Sequence, residues 1–299
     1  MLKFRGLVAA TFTPMREDGS LALDKVPMLV EHLIKNEMAG LFAVGSTGEF
    51  PSLTHDERKV VGEAFIAAAA GRIPVIVNVG SCSVRESQLL AEHAVAAGAD
   101  AICAMVPFYF RPPTVRELAE CLKEIAKACG GRPLYLYHIP CMTHANLPMY
   151  DLLKIMESEC PNFAGIKYTD ENLYEFQRCT GFGDRFQMMY GRDEMLLASF
   201  VSGGEAGVGS TYNYFPRVYR GLVDAYRKGD FEEARRFQEL SQRGIVMLGK
   251  YGMASQKMYM KFAGLDIGPM RLPAPRFSKE RELEFRRAVS EAGLDPWLG

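Results

Sequence analysis

Two side chains of this sequence are suited to carbonyl chemistry, a lysine at 167 and a tyrosine at 137. Lys167 lies near the carboxyl end of the run 163–170, which is apolar, bounded by turn formers and reads as a short buried strand. Strand side chains alternate between faces, so Phe163, Gly165, Lys167 and Thr169 are expected on one side, with Gly165 leaving space beneath the lysine. A buried ammonium is costly to keep charged, and a neutral amine attacks a ketone to form a Schiff base. Taken alone, the same run better describes a lysine whose stem packs while its head reaches water, and the rest of the chain shifts that balance. Tyr137 stands near the end of a second strand-like run, on the face shared with Tyr135. A phenol there can pass protons to and from a substrate oxygen, or be a buried tyrosine with its hydroxyl satisfied. His138 has the opposite parity and is read as structural.

Further polar clusters stand at other segment ends. Gly45, Ser46, Thr47, Gly48 and Glu49 combine small residues with two hydroxyls. Such a loop can surround an anion, for instance a carboxylate, with N–H groups, or it is a tight turn that needs glycine. No GK[ST] follows, so it is not a phosphate loop. Gly191, Arg192, Asp193 and Glu194 put adjacent carboxylates at a helix start, which describes a dipole-complementing cap. Facing a pocket, they would accept hydrogen bonds from a polyol. Ser210 adds one more polar contact, and the loop Phe108, Tyr109, Phe110 reads as packing or interface. No metal-ligand spacing and no nucleotide fingerprint appear, so the expected chemistry uses neither metal nor cofactor. An anion cradle, a phenol, an amine and hydroxyl-reading carboxylates together describe a Schiff-base reaction on a 2-oxo acid, with the protonated imine as electron sink. A catalytically idle sugar-acid binder is the rival from another class, and the intact Lys167, Tyr137 and Thr47 set speaks against it.

Eight strand-like segments carry these residues at or near their carboxyl ends: 6–13, 40–45, 74–79, 99–106, 133–139, 163–169, 186–191 and 205–210. Several are continuous apolar runs, as suits parallel strands covered on both faces. Helical stretches alternate with them, opened by capping-box spacings at Thr54/Glu57, Ser83/Glu86 and Thr114/Glu117 and punctuated by Gly40, Gly71, Gly98 and Gly130. Eight such repeats match a (β/α)₈ TIM barrel, whose active sites lie at the carboxyl ends of the strands. The absence of a GxGxxG turn after the first strand weighs against a doubly wound sheet. Residues 1–228 are therefore expected to form the barrel carrying the site. Residues 229–299 are expected to form a C-terminal helical extension packed on it, with helices over 231–248, 253–262 and 278–292.

Composition narrows the partners. The chain has 299 residues, 48% hydrophobic and 24% charged, with a formal net charge of −1. That is a soluble globular composition and lacks the basic surface a nucleic-acid binder needs. Seven cysteines form no CxxC pair, which fits reduced, mostly buried thiols rather than a disulfide framework. No run approaches the ~18 apolar residues of a membrane span, so a cytoplasmic protein is expected.

In these motifs the sequence resembles the N-acetylneuraminate lyase and dihydrodipicolinate synthase family of class I pyruvate aldolases. GSTGE at 45–49, PFY at 107–109, YHIP at 137–140 and GIKYTD at 165–170 occur in the family's order, and the resemblance runs through nearly the whole chain. It implies a (β/α)₈ barrel with a helical extension, assembled as a homotetramer. It implies that Lys167 forms the imine with pyruvate and that Tyr137 is proton donor and acceptor. By the same resemblance Ser46 and Thr47 hold the pyruvyl carboxylate, and Thr47 and Tyr109 form a proton relay, Tyr109 coming from a neighbouring subunit. GRDE at 191–194 and GSTYN at 209–213 resemble the sialic-acid lyase branch. There Thr169, Gly191, Asp193, Glu194 and Ser210 would bind the hydroxyls of a 2-oxo sugar acid. Cleavage of N-acetylneuraminate to N-acetylmannosamine and pyruvate is the implied reaction, with another 2-keto-3-deoxy sugar acid or a dihydrodipicolinate-type condensation as the alternative. The latter is disfavoured because Cys141, Met142 and Thr143 stand where an arginine for a second carboxylate is usual. His144 stands where the family often has glycine, and Arg192 occupies a variable position.

Overall fold

The computed structural model describes residues 3–299. Its strands and helices alternate in the order β1 (Gly6–Ala10), α1 (Val26–Lys35), β2 (Gly40–Ala43), α2 (His55–Ala69), β3 (Val75–Asn78), α3 (Val84–Ala97), β4 (Ala101–Met105) and α4 (Val115–Lys127). There follow β5 (Leu134–His138), α5 (Pro140–Thr143), α6 (Met149–Glu159), β6 (Phe163–Tyr168), α7 (Leu173–Thr180), β7 (Gln187–Tyr190), α8 (Leu196–Val201), β8 (Ala206–Gly209) and α9 (Pro216–Arg227). The eight strands are parallel and close in sequence order, β8 returning to β1, so the chain is a (β/α)₈ barrel. Three more helices, α10 (Phe231–Tyr251), α11 (Ser255–Phe262) and α12 (Lys279–Glu291), follow it.

Each expected strand segment contains a strand, shorter than the apolar run around it. At β1 the reason is visible. Residues 11–13 run on past the ladder, and the Thr13 hydroxyl donates to the Gly48 carbonyl at 2.7 Å, serving a loop instead of the sheet. Thr54 and Glu57 form the expected reciprocal cap of α2. At α3 the Ser83 hydroxyl accepts from the Glu86 N–H, but the Glu86 carboxylate turns to Ser81 and His55. At α4 Thr114 caps through the Arg116 N–H instead. Four of the seven cysteines are buried and all are free.

β6 departs from strict alternation. Its register against β5 runs Leu134–Phe163 and then Tyr135–Gly165, so an extra residue bulges out at Ala164. Phe163 therefore does not share the inward face that Gly165 and Lys167 occupy. Gly165 is demanded by the neighbouring backbone. It sits at φ 148°, where a Cβ would lie 1.9 Å from the Gln187 carbonyl oxygen, so the bulge and the close approach of β7 both need glycine. The expected space beneath Lys167 is filled by main chain.

Candidate active site

Lys167 and Tyr137 are direct register partners on β6 and β5, with Met189 beside the lysine on β7. Both are buried, at 3% exposure each. The Lys167 Nζ stands 3.8 Å from the centroid of the Tyr137 ring and 4.0 Å from that of Phe42 on β2. Phe42 meets Tyr137 edge-on at 5.6 Å. Two aromatic rings, one from β2 and one from β5, thus flank one amine on β6, a contact that holds the chain of the lysine in one place. Cys103, also inside the barrel, has its thiol pushed up to about 12 by burial, with Lys167 opposing, so it stays protonated and does not compete as a nucleophile.

The cradle at 45–49 is bracketed by Val44 and Glu49, both in the left-handed region at φ 58° and 59°. Two non-glycine residues there mark a loop that its surroundings hold in a strained form. The N–H groups of Glu49 and Phe50 turn back on the carbonyls of Ser46 and Gly45. Among the described residues no acceptor takes the N–H of Ser46, Thr47 or Gly48. The Ser46 hydroxyl lies 3.4 Å from the Tyr137 hydroxyl, which joins the cradle to the phenol. Thr47 is buried beside it in the loop.

Asp193 and Glu194 follow β7, the strand beside that of Lys167. Thr169 and Gly191 abut: a Cβ on Gly191 would fall 1.9 Å from the Thr169 hydroxyl, and that buried hydroxyl has no hydrogen-bond partner among the described residues. Asp193 is buried, its Oδ2 accepting from the Thr211 N–H at 3.0 Å and the Thr211 hydroxyl at 2.6 Å. Behind it a chain of contacts runs from Thr211 through Tyr219 to Ser241 on α10, and Gln238 donates to the Asp193 carbonyl at 3.0 Å. One oxygen of Asp193 is therefore held by Thr211, while the other is buried and close to the Tyr212 hydroxyl. Glu194 is partly exposed and Ser210 stands partly exposed beyond β8. Arg192 reaches between Glu171 and Glu194, at 3.3 and 3.6 Å.

Burial pushes the Asp193 carboxyl up to about 6 from 3.8, the bonds from Thr211 opposing it. Below pH 3.8 both folded and unfolded chains hold this proton. Between there and about pH 6 only the folded chain does, so the stability this group contributes falls as pH rises through that window, by about 3 kcal/mol in all. Asp193→Asn keeps an acceptor for Thr211 and removes the titration. Its stability relative to the intact protein should rise by a comparable amount between pH 4 and pH 7 in urea unfolding; a flat difference would show that Asp193 titrates normally.

Tyr109 is not brought into this site by its own chain. It is 76% exposed beside Phe110 at 86%, and among the described residues it makes no hydrogen bond to Thr47. His138 is fully buried against Tyr168, and burial holds it down at about 4, neutral at pH 7. His144 adopts φ 52°, which is why glycine suits that position, and it is exposed. Phe42, Glu49 and the network behind Asp193 escaped the sequence reading. Glu49 was visible only as the last letter of a loop, since its partners come from the far end of the chain. Among the described residues no group of three or more His, Cys, Asp or Glu side chains is placed to hold a metal ion, and no helix is long and apolar enough to cross a membrane.

The model of the dihydrodipicolinate synthetase family matches residues 3–292. The N-acetylneuraminate lyase of Homo sapiens is 37% identical over 286 residues, covering 93% of this chain and 89% of that protein. Among solved structures, the N-acetylneuraminate lyase of Proteus mirabilis superposes with a TM-score of 0.94 at 29% identity, covering 98% of this chain and 100% of its own. The enzyme of the same name from Aliivibrio salmonicida gives 0.94 at 30% identity, with 98% of both chains covered.

Proposed function

Because this chain belongs to the dihydrodipicolinate synthetase family, we propose that it is a Schiff-base lyase that cleaves N-acetylneuraminate reversibly to N-acetylmannosamine and pyruvate. The observation that carries the reading is the amine of Lys167, 3% exposed and 3.8 Å from the ring of a tyrosine whose hydroxyl touches Ser46. The similarity to N-acetylneuraminate lyases over nearly the whole chain supports this substrate over other 2-oxo sugar acids.

In this mechanism the unprotonated amine of Lys167 adds to the C2 ketone of the open-chain sugar acid, and Tyr137 gives its phenolic proton to the departing C2 hydroxyl, so that water leaves and a protonated imine forms. The resulting Tyr137 phenolate takes the proton of the C4 hydroxyl as the C3–C4 bond breaks, and the electron pair of that bond passes into the iminium as an enamine. N-acetylmannosamine departs as the aldehyde. Protonation of the enamine at C3 and hydrolysis then release pyruvate and the free lysine. Ser46 and Thr47 hold the carboxylate. Thr169, Gly191, Asp193, Glu194 and Ser210 receive the hydroxyls of the sugar. The chain's own side chains supply every group used, so no cofactor enters the scheme.

The test is pyruvate release from N-acetylneuraminate, followed together with N-acetylmannosamine. Equal release of the two is expected, and no release from folded protein would overturn the substrate assignment. We further assign a cytoplasmic homotetramer in which Tyr109 completes a proton relay with Thr47 of an adjacent subunit. Residues 1–228 carry the site and 229–299 pack on them. The exposed Tyr109 and Phe110 support such an interface. Light scattering on the eluting protein should give four chains per particle; a monomer that retains full turnover would remove Tyr109 from the site.

A further inference from the structure

Lys257, on α11 beyond the barrel, is among the most deeply buried charges in the molecule, its side chain wholly inaccessible. Its ammonium forms an ion pair with the Glu49 Oε1 at 2.8 Å and donates to the carbonyls of Thr13 at 2.9 Å and Pro269 at 2.8 Å. The other oxygen of Glu49 accepts from the Arg271 N–H at 2.8 Å. Arg271 in turn forks onto the Glu57 carboxylate at 2.7 and 2.5 Å and reaches the Ser52 carbonyl at 2.9 Å. Both residues that Lys257 touches on the barrel side bear on the cradle. Glu49 is its last residue, in the left-handed conformation, and Thr13 holds the Gly48 carbonyl.

This arrangement has an electrostatic side. Glu49 is two residues from Thr47, in a loop that receives an anion under the aldolase reading, and its carboxylate side chain is only 4% exposed. An uncompensated negative charge there would repel a carboxylate substrate through a poorly screened interior. The ammonium of Lys257 cancels it. The pair also holds the strained Glu49 end of the loop against the body of the protein, where backbone of this kind persists only if its surroundings over-determine it.

We propose that Lys257 is a positioning residue for substrate binding: through Glu49 and Thr13 it sets the affinity of the 45–49 loop for the pyruvyl carboxylate without touching the substrate. The proposal rests on the aldolase reading above, and it gives α11 a part in the reaction. It predicts an effect on binding and not on the reactivity of the amine.

The experiment is borohydride trapping of Lys167 by pyruvate across a range of pyruvate concentrations, with circular dichroism to establish folding. In Lys257→Met the half-saturating pyruvate concentration should rise at least tenfold while labelling at saturation stays within twofold. Leaving Glu49 buried and unpaired is costly, so this variant is backed by Glu49→Gln with Lys257→Met, which removes both charges. There the half-saturating concentration should rise at least threefold through loss of the clamp alone. Half-saturation within twofold of the intact protein in the Lys257→Met variant, or in the double variant if the single one does not fold, overturns the proposal. So does a fall in saturated labelling at unchanged half-saturation. If neither variant folds, the pair serves the fold alone and the proposal fails. Intact protein that pyruvate never labels overturns the aldolase reading itself, and this proposal with it.

Discussion

Replacing Lys167 with alanine should reduce pyruvate release from N-acetylneuraminate by on the order of 10⁴-fold or more, the scale on which loss of a covalent nucleophile is felt. No other amine stands ready to take over. The other buried lysine, Lys257, has its donors bound to Glu49, Thr13 and Pro269. The fold should survive, because the rings of Phe42 and Tyr137 that flank the amine retain their edge-on contact. Steady-state pyruvate release compared at matched folded concentration decides the matter. Turnover within tenfold of the intact protein would end the Schiff-base mechanism.

Tyr137→Phe separates two duties of one side chain. The ring that lies against the Lys167 Nζ remains, while the hydroxyl facing Ser46 is lost. Pyruvate should still be trapped on Lys167 by borohydride, yet kcat should fall by about 10²- to 10⁴-fold, the usual worth of a positioned acid–base group. The split is diagnostic, since a merely structural tyrosine would lower both together or neither. Unchanged turnover would require the proton-transfer role to be given up.

What was legible in the sequence, and what was not, follows from the range of the interactions involved. The strands announced themselves because parallel strands covered on both faces must be continuously apolar, and the barrel followed from their number and spacing. Lys167 and Tyr137 were readable because parity along a single strand is a local property. The bulge at Ala164 shows the limit of that argument: it breaks the parity of Phe163, and nothing within β6 foretells that Gln187 of the next strand occupies the place a Cβ would take. Ser46 and Thr47 stood out as hydroxyls among glycines. Glu49 did not, because its meaning depends on Lys257 and Arg271, which only the closed fold brings to it. The surroundings of Asp193 likewise come from distant residues: Thr211 claims one of its oxygens and α10 fixes its backbone. Tyr109 lies outside both kinds of reasoning, since its expected partners belong to another chain.

The contact between Thr13 and Lys257 spans 244 positions of sequence, and this bears on how the molecule comes into being on the ribosome. At ~5–20 residues per second the 90 residues from Lys167 to Lys257 take roughly 5–18 s to emerge. During that interval the nascent chain already holds its amine and phenol, but Glu49 lacks its counter-charge and gains nothing from being buried. The 45–49 loop is therefore the last part of the proposed pocket able to settle. A chain stalled before α11 would carry Lys167 without the settled loop proposed to seat its substrate.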